Sequence, residues 1–380
     1  MSDMTPNIAA AKAALSHIEM DESPVTIRNK SRDFFWYSPV LKAEMDHLEA
    51  DFVVNPKSEA EVIEVLKVCY AHDVPVTMRG GGTGNYGQAM PLAGGCVMHI
   101  TGMNKIKEIG QGYVVAEPGI IIKDLDAELK EKSGQELRMF PSTYSQASLG
   151  GFVAGGSGGV GSANWGALRD LGNINRLRVV TMEAEPRVLD FTGEELHRVS
   201  HAYGTNGIIT ELEMPLAPAY DWVEMFVRFD TFRAATEFAG ALTKEPGILI
   251  KLASVYGAPI AHKYFQRVKA HVTEDDHLCG LMVAPQSMDG FLTLLARFDE
   301  GEVIYRSDDV VWGRHPGPIY EYGWNHTTLR ALKFEKDLTY LQVRYGGDVD
   351  KVMAASEAFA DKLYMHLEVM REGGGISFAG

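Results

Sequence analysis

The apolar positions follow two different textures on either side of Pro218. In SEAEVIEVLKVCYAHD (58–73), Val62, Val65, Leu66 and Cys69 recur at helical spacing, and Ser58 with Glu61 has the form of a capping box. That spacing predicts a helix. VPVTMR (74–79) reads as a short buried strand, and GCVMHI (95–100) and YVVAEPG (113–119) as two more. IIKDLDAELKEKSG (121–134) is an amphipathic helix with a glycine stop. LRVVTME (177–183) and RVLDF (187–191) suit a hairpin, GEELHRVSHA (193–202) a helix, and GIITELEMPLAP (207–218) a strand ended by prolines. Beyond Pro218 glycine thins out and aromatic residues rise. WVEMFVRF, HLCGLMVA and YLQVRY alternate there with helical patterns at 231–243, 258–270, 286–299 and 349–371. This is the pattern of an α+β module, with a domain boundary near 218–221.

Two stretches fit neither rhythm. MRGGGTGNYG (78–87) contains a literal G-x-G-x-x-G at Gly82, Gly84 and Gly87. A dinucleotide turn must follow a strand and open a helix whose N-terminus holds the pyrophosphate. The strand is there, but QAMPLAGG follows, with Pro91 and Gly94–Gly95 inside the would-be helix. Glu108 stands near the nominal acidic spacing, with no helix between it and the glycines. No Gly-Lys-Ser/Thr follows, so the P-loop pattern fails as well. Successive glycine amides can still turn inward as an anion nest, with Thr83 and Asn85 as uncharged donors. The second stretch, PSTYSQASLGGFVAGGSGGVGSANWG (141–166), is expected to be neither regular helix nor linker. Small residues at this density mark backbone pressed closely against something. Two bare surfaces suggest one large ligand between them.

Composition narrows the class. The 380 residues suffice for two domains, and 46% hydrophobic residues suffice for a large core. A net charge of −15 repels nucleic acid and anionic membranes. Cys69, Cys96 and Cys279 are scattered, which argues against a disulfide framework, zinc or an iron–sulfur cluster. His197 and His201 sit one helical turn apart without a third ligand, so no metal is expected. The first twenty residues carry no basic and apolar leader pattern, and no run reaches membrane-spanning length. The chain reads as cytoplasmic and not as an integral membrane protein.

The order of these pieces resembles the FAD-binding domain of the vanillyl-alcohol oxidase and p-cresol methylhydroxylase (PCMH) family, which includes glycolate and D-lactate dehydrogenases. The resemblance runs from about residue 50 to 218. It is carried by NPKSEAEV, PVTMRGGGTGNYGQAMPLAGG, MNKI, AEPG, FPSTYSQASLGGFVAGGSGG, ANWGALRD and GTNGIIT, all in order. It implies an α+β fold: a two-subdomain PCMH-type FAD-binding domain followed by an α+β cap, or substrate, domain. The expected division is 1–45 as an N-terminal helical segment, 46–219 as the FAD-binding domain and 220–380 as the cap.

By position, the resemblance implies that Gly80, Gly81, Gly82, Thr83, Gly84 and Asn85 wrap the FAD pyrophosphate, with Gln88 toward the flavin. It places Pro141, Ser142, Ser148, Gly150 and Gly151 at the flavin or ribityl chain. Gly155, Gly158 and Gly159 let the backbone pass the cofactor, and Ile208 and Ile209 face the adenine end. Members that tether flavin through this loop carry histidine where this chain has Thr83, so non-covalent FAD is expected. Asn164, Trp165 and Gly166 replace a frequent Arg-Tyr-Gly. The chain stops at GGGISFAG, before the C-terminal segment that returns to the FAD domain in relatives, so the cap is expected to be incomplete.

The implied activity is oxidation of a hydroxy acid or alcohol by hydride transfer to flavin N5. The partners are then a small-molecule substrate and an electron acceptor, whether protein, quinone or oxygen; homo-oligomerisation is left open. An accessory flavoprotein subunit and a sugar or aromatic alcohol oxidase are the alternatives. VVWGRHPGPIYEYGWNHTTLRALKFEK (310–336) is the richest region for chemistry and is expected to be a loop. His326 is the candidate base, ahead of His315, and Arg314 and Arg344 are the candidate anion anchors.

Overall fold

The computed structural model describes residues 7–156, 158–309, 312 and 315–380. The chain divides into two compact units, Met1–Ser157 with Leu168–Ala219, and Gly158–Ala167 with Tyr220–Gly380.

The first unit holds two sheets. Strands β1 (Met20–Asp21), β2 (Phe52–Val54), β3 (Val76–Arg79) and β4 (Cys96–His99) lie in the order β1-β2-β4-β3, with β2, β4 and β3 parallel. The helix Glu59–Ala71 connects β2 to β3 and buries Val62, Val65, Leu66 and Cys69. Ser58 caps it by accepting the Glu61 N–H at 3.3 Å, while the Glu61 carboxylate reaches back one residue further than expected, to the Lys57 N–H. The second sheet runs β5 (Ile106–Gly110), β6 (Tyr113–Ala116), β10 (Ile208–Pro218), β8 (Arg176–Val180) and β9 (Val188–Thr192). The short β7 (Gln135–Leu137) pairs with the far end of β10. The helix Ile122–Ser133 ends at Gly134, which adopts a left-handed φ of +63°.

The second unit is built on one antiparallel sheet, β14-β11-β13-β12-β15-β16. Its strands are β11 (Val223–Phe229), β12 (Ile250–Tyr256), β13 (His277–Val283), β14 (Glu302–Arg306), β15 (His366–Glu372) and β16 (Gly375–Ala379). Alternate residues send Val223, Met225, Val227, Val255, Cys279, Leu281, Leu367 and Val369 into one core. The helices Phe232–Lys244, Met288–Leu295 and Val349–Ala358 supply its other wall through Phe238, Phe291 and Val352.

Several expectations change. Gly158–Ala167, expected inside the first unit, belongs to the second. The Gly161 N–H donates to the Lys251 carbonyl at 2.7 Å, and Ala163 joins the core beneath that sheet. The glycine-rich 141–166 stretch contains the helices Leu149–Gly155 and Ser162–Trp165. Residues 193–202 form only a 3-10 turn, Gly193–Arg198. The helical pattern at 349–371 stops at Ala358, because 366–372 leaves to pair with β12 and β16. YLQVRY forms no named strand; Arg344 makes an isolated bridge to Ala379. Residues 375–379, within the final GGGISFAG, form β16.

Candidate functional site

In the first unit, β3 delivers the chain into a loop that the glycines bare. A Cβ added at Gly80 would meet Ser148 Oγ at 2.1 Å, and one at Gly81 would meet the Gln146 carbonyl oxygen at 2.1 Å. Loop 80–88 and segment 146–151 therefore lie backbone against backbone, at a distance no side chain tolerates. Gly82 has φ +68°, where an L-residue is strained. The two segments are also tied by Thr143 Oγ1 donating to Thr83 Oγ1 at 3.3 Å. Ser148 is buried and caps the helix Leu149–Gly155, accepting the Gly151 N–H at 3.2 Å. Gly150 donates to the Pro118 carbonyl at 2.8 Å, which puts AEPG against the same helix. Gln88 Oε1 accepts the Tyr86 N–H at 2.8 Å and its side chain folds over Gly84.

Of the expected FAD residues, Gly80, Gly81, Gly82, Thr83, Gly84, Asn85 and Gln88 share this loop. Pro141 and Ser142 open the segment that leads to it, and Ser148, Gly150, Gly151 and Gly155 lie on or cap the one short helix. Ile208 and Ile209 begin β10, both buried, opposite Val180 and Val179. Gly158 and Gly159 lie in the second unit, where the Trp324 ring packs against Gly158. The loop is not continued by a helix: residues 88–95 are turns. These features fit an extended dinucleotide. The glycines let the loop pack closely on Ser148, Gln146, Arg79 and Gln88, its donors are uncharged amides and hydroxyls, and no helix N-terminus is needed.

Sequence reasoning missed the segment that covers this loop. Asp33, Phe34 and the buried Arg79 contact it, and SRDFFWYSP carried the available signal, an acid set in an aromatic run. Next to this segment, Lys30 Nζ lies 3.0 Å from His99 Nε2. Burial and the charges of Lys30 and Arg79 push the His99 imidazole down to about 4.

In the second unit, the sheet face opposite the core carries the polar groups. Glu368 on β15 is buried and accepts three donors: Ser254 Oγ on β12 at 2.7 Å, His366 Nε2 at 2.9 Å and the Trp324 N–H. His366 stacks on Tyr256, with ring centroids 5.1 Å apart. Trp324 adopts φ +52°, a costly conformation for a non-glycine residue, and the Glu368 bond holds it there. This turn opens the helix Asn325–Leu332, so His326 stands on a first helical turn and not in the expected loop. His326 Nδ1 is buried and has no hydrogen-bond partner among the described residues. Burial, with the nearby Arg330 and Lys333, pushes its imidazole down to about 4. Arg330 stacks on Tyr322 at 4.1 Å. On β11, burial raises Glu224 to about 7. Arg344 is half-exposed and pairs with Glu372 at 3.0 Å. Arg314 lies outside the described residues. Sequence reasoning passed over Glu368, although a lone acid among the apolar residues of YMHLEVM was its signal. His201 takes φ +55° and packs on Gly156, and no metal-holding group of His, Cys, Asp or Glu occurs among the described residues.

Comparison with known proteins agrees with the loop geometry. Residues 50–190 match the family model described as an FAD binding domain. An uncharacterized FAD-linked oxidoreductase of Mycobacterium tuberculosis is 31% identical over 214 residues, covering 52% of this chain and 45% of that protein. The glycolate oxidase subunit GlcD of Bacillus subtilis is 31% identical over 177 residues, covering 44% of this chain and 37% of its own. The chain thus spans less than half the length of these curated relatives. In fold, it is similar to p-cresol methylhydroxylase with substrate bound, at a TM-score of 0.72 and 14% identity, over 98% of this chain and 81% of that one. No helix among the described residues is long and apolar enough to cross a membrane. Residues 50–190 accordingly match an FAD-binding domain, in a chain whose α+β fold is similar to that of p-cresol methylhydroxylase.

Proposed function

We propose that the chain is an FAD-dependent oxidoreductase that oxidises a hydroxy acid or alcohol, with FAD held non-covalently. The observation that carries this reading is the mutual packing of the two bare segments, Gly80–Gly81 on 146–148, within the domain that matches the FAD-binding family. When bound, FAD supplies the two-electron acceptor for the hydride of the carbinol carbon. The loop Gly80–Asn85 would hold the pyrophosphate on its amides, with Gln88 toward the flavin and Ser148, Gly150 and Gly151 along the ribityl side. Ile208 and Ile209 would line the adenine end.

The hydroxyl proton is the chain's to manage. His326, neutral near pH 7, is the base we propose for the hydroxyl proton that is released as the substrate C–H leaves with its electron pair. Glu368 holds the strained turn that presents His326. Arg344 would anchor a substrate carboxylate only by leaving Glu372, and Arg314 is the other proposed anchor.

A sugar or aryl alcohol is the second reading. The aromatic run Tyr320–Trp324 in the candidate region favours a flat or hydroxyl-rich donor. Anaerobic addition of hydroxy acids, sugars and aryl alcohols to the flavin-loaded protein separates the readings. Bleaching by one class identifies the donor. Bound flavin that no donor bleaches would instead mark an accessory subunit. Oxygen, a quinone or an acceptor protein then reoxidises the flavin, and adding each in turn identifies the acceptor.

A further inference from the structure

The segment Arg32–Tyr37 precedes the part of the chain that matches the FAD-binding family, yet it is bonded to the glycine loop at several points. The Phe34 N–H donates to the Gly84 carbonyl at 2.7 Å. Asp33 is buried and divides its carboxylate between the segment and the loop: Oδ1 accepts the Phe35 N–H at 2.8 Å, and Oδ2 accepts the Ala89 N–H at 3.3 Å. Arg79, at the end of β3, donates through Nη1 to the Arg32 carbonyl. Its guanidinium lies beneath Gly82, where an added Cβ would meet Nη2 at 2.1 Å, and its buried Nε has no partner among the described residues.

These bonds fix the loop at its middle and at its far end. A trans peptide puts a carbonyl and the following N–H on opposite sides. Drawing the Gly84 carbonyl toward Phe34 therefore turns the Asn85 N–H the other way. Glycines do not hold such an orientation by themselves, because their backbone is permissive. The buried Arg79 charge, partly balanced by Asp33, adds positive potential directly behind the loop.

We propose that Arg32–Tyr37 is a latch on the glycine loop, with Asp33 as a positioning residue that sets the loop amides for the FAD pyrophosphate and Arg79 as the cation behind them. This rests on the FAD reading above. The latch acts without touching the cofactor, and its expected effect is confined to the pyrophosphate half of the ligand.

The test uses the full chain stripped of flavin, with FAD affinity read from quenching of flavin fluorescence and ADP affinity from competition. Asp33→Asn keeps the shape but gives up the charge-assisted acceptor. It is expected to weaken FAD and ADP alike, about tenfold or more. Arg79→Lys keeps the charge without the fork and is expected to fall between Asp33→Asn and wild type. Glu22→Gln, in an exposed ion pair with Lys12 of the same N-terminal region, should leave both affinities unchanged. Val62→Ala, in the core of this unit, lowers the melting temperature of the apoprotein and should leave both Kd values within twofold. If Asp33→Asn binds FAD within twofold of wild type, or if Val62→Ala weakens FAD as much, the latch is overturned and the FAD reading stands. Wild type that takes up no FAD overturns both.

Discussion

The resemblance implies that Thr83 stands where flavin-tethering members carry histidine, and under the proposed non-covalent reading no bond forms there. Acid precipitation of the flavin-loaded protein should therefore leave all the flavin in the supernatant; a washed pellet that stays yellow would contradict this. Gly82 illustrates a second residue-level constraint. Its φ of +68° and the Arg79 guanidinium at its Cα leave no room for a methyl group. Gly82→Ala should cost about 1–2 kcal/mol from the left-handed backbone alone, read as a shift in denaturation midpoint, and should weaken FAD further. His326 makes a prediction in pH. Its folded value of about 4 lies below the ordinary 6.5, so the unfolded chain binds the extra proton between those values. Stability is then present above about pH 6.5 and is lost as pH falls toward 4. His99, also at about 4, acts in the same direction. Replacing His326 with Gln should reduce the acid sensitivity of the melting temperature without abolishing it. In catalysis, kcat/KM should stay flat above pH 6, with its acid limb near 4, and His326→Gln should remove that limb. An acid limb at 6.5 would assign the base elsewhere.

Among the elements, those with local signals were legible. The helix Glu59–Ala71 had a Ser58 cap and a four-residue apolar face, and the structure shows both. Ser58→Ala should cost about 1 kcal/mol in a chemical denaturation experiment. Elements stabilised by distant partners were harder to read. In YMHLEVM, Leu367 and Val369 alternate with Glu368, but the stretch also continues the helical pattern that begins at 349. Pairing of β15 with β12, more than a hundred residues earlier, decides for the strand. The same holds for 158–167, whose glycines suited the FAD domain by composition while Lys251 and the second sheet hold it in the other unit. Residues 149–155 became a helix despite three glycines, because Ser148 caps the start and Pro118 accepts the Gly150 N–H.

For the whole molecule, the FAD-binding domain match over residues 50–190 was legible in the sequence, while the buried groups of the second unit were not. Contact of backbone with a large ligand demands small residues in runs, and such runs are visible in one dimension. A base needs only one histidine, and twelve are present. His326 differs from the others through the burial of Nδ1 and the strained turn at Trp324, neither of which has a sequence motif. The N-terminal latch went unread because Asp33 lies more than forty residues from the glycines it orders. The net charge of −15 repels an anionic substrate at long range, so local cations must hold it, and its KM should fall as added salt screens that repulsion.

The most direct test of the central claim is titration of the flavin-free full chain with FAD, followed by its absorption near about 450 nm and its fluorescence. The account predicts uptake to an end point of one FAD per chain, with quenched or shifted flavin emission. Protein that remains colourless after exposure to excess FAD and removal of the unbound cofactor would contradict it.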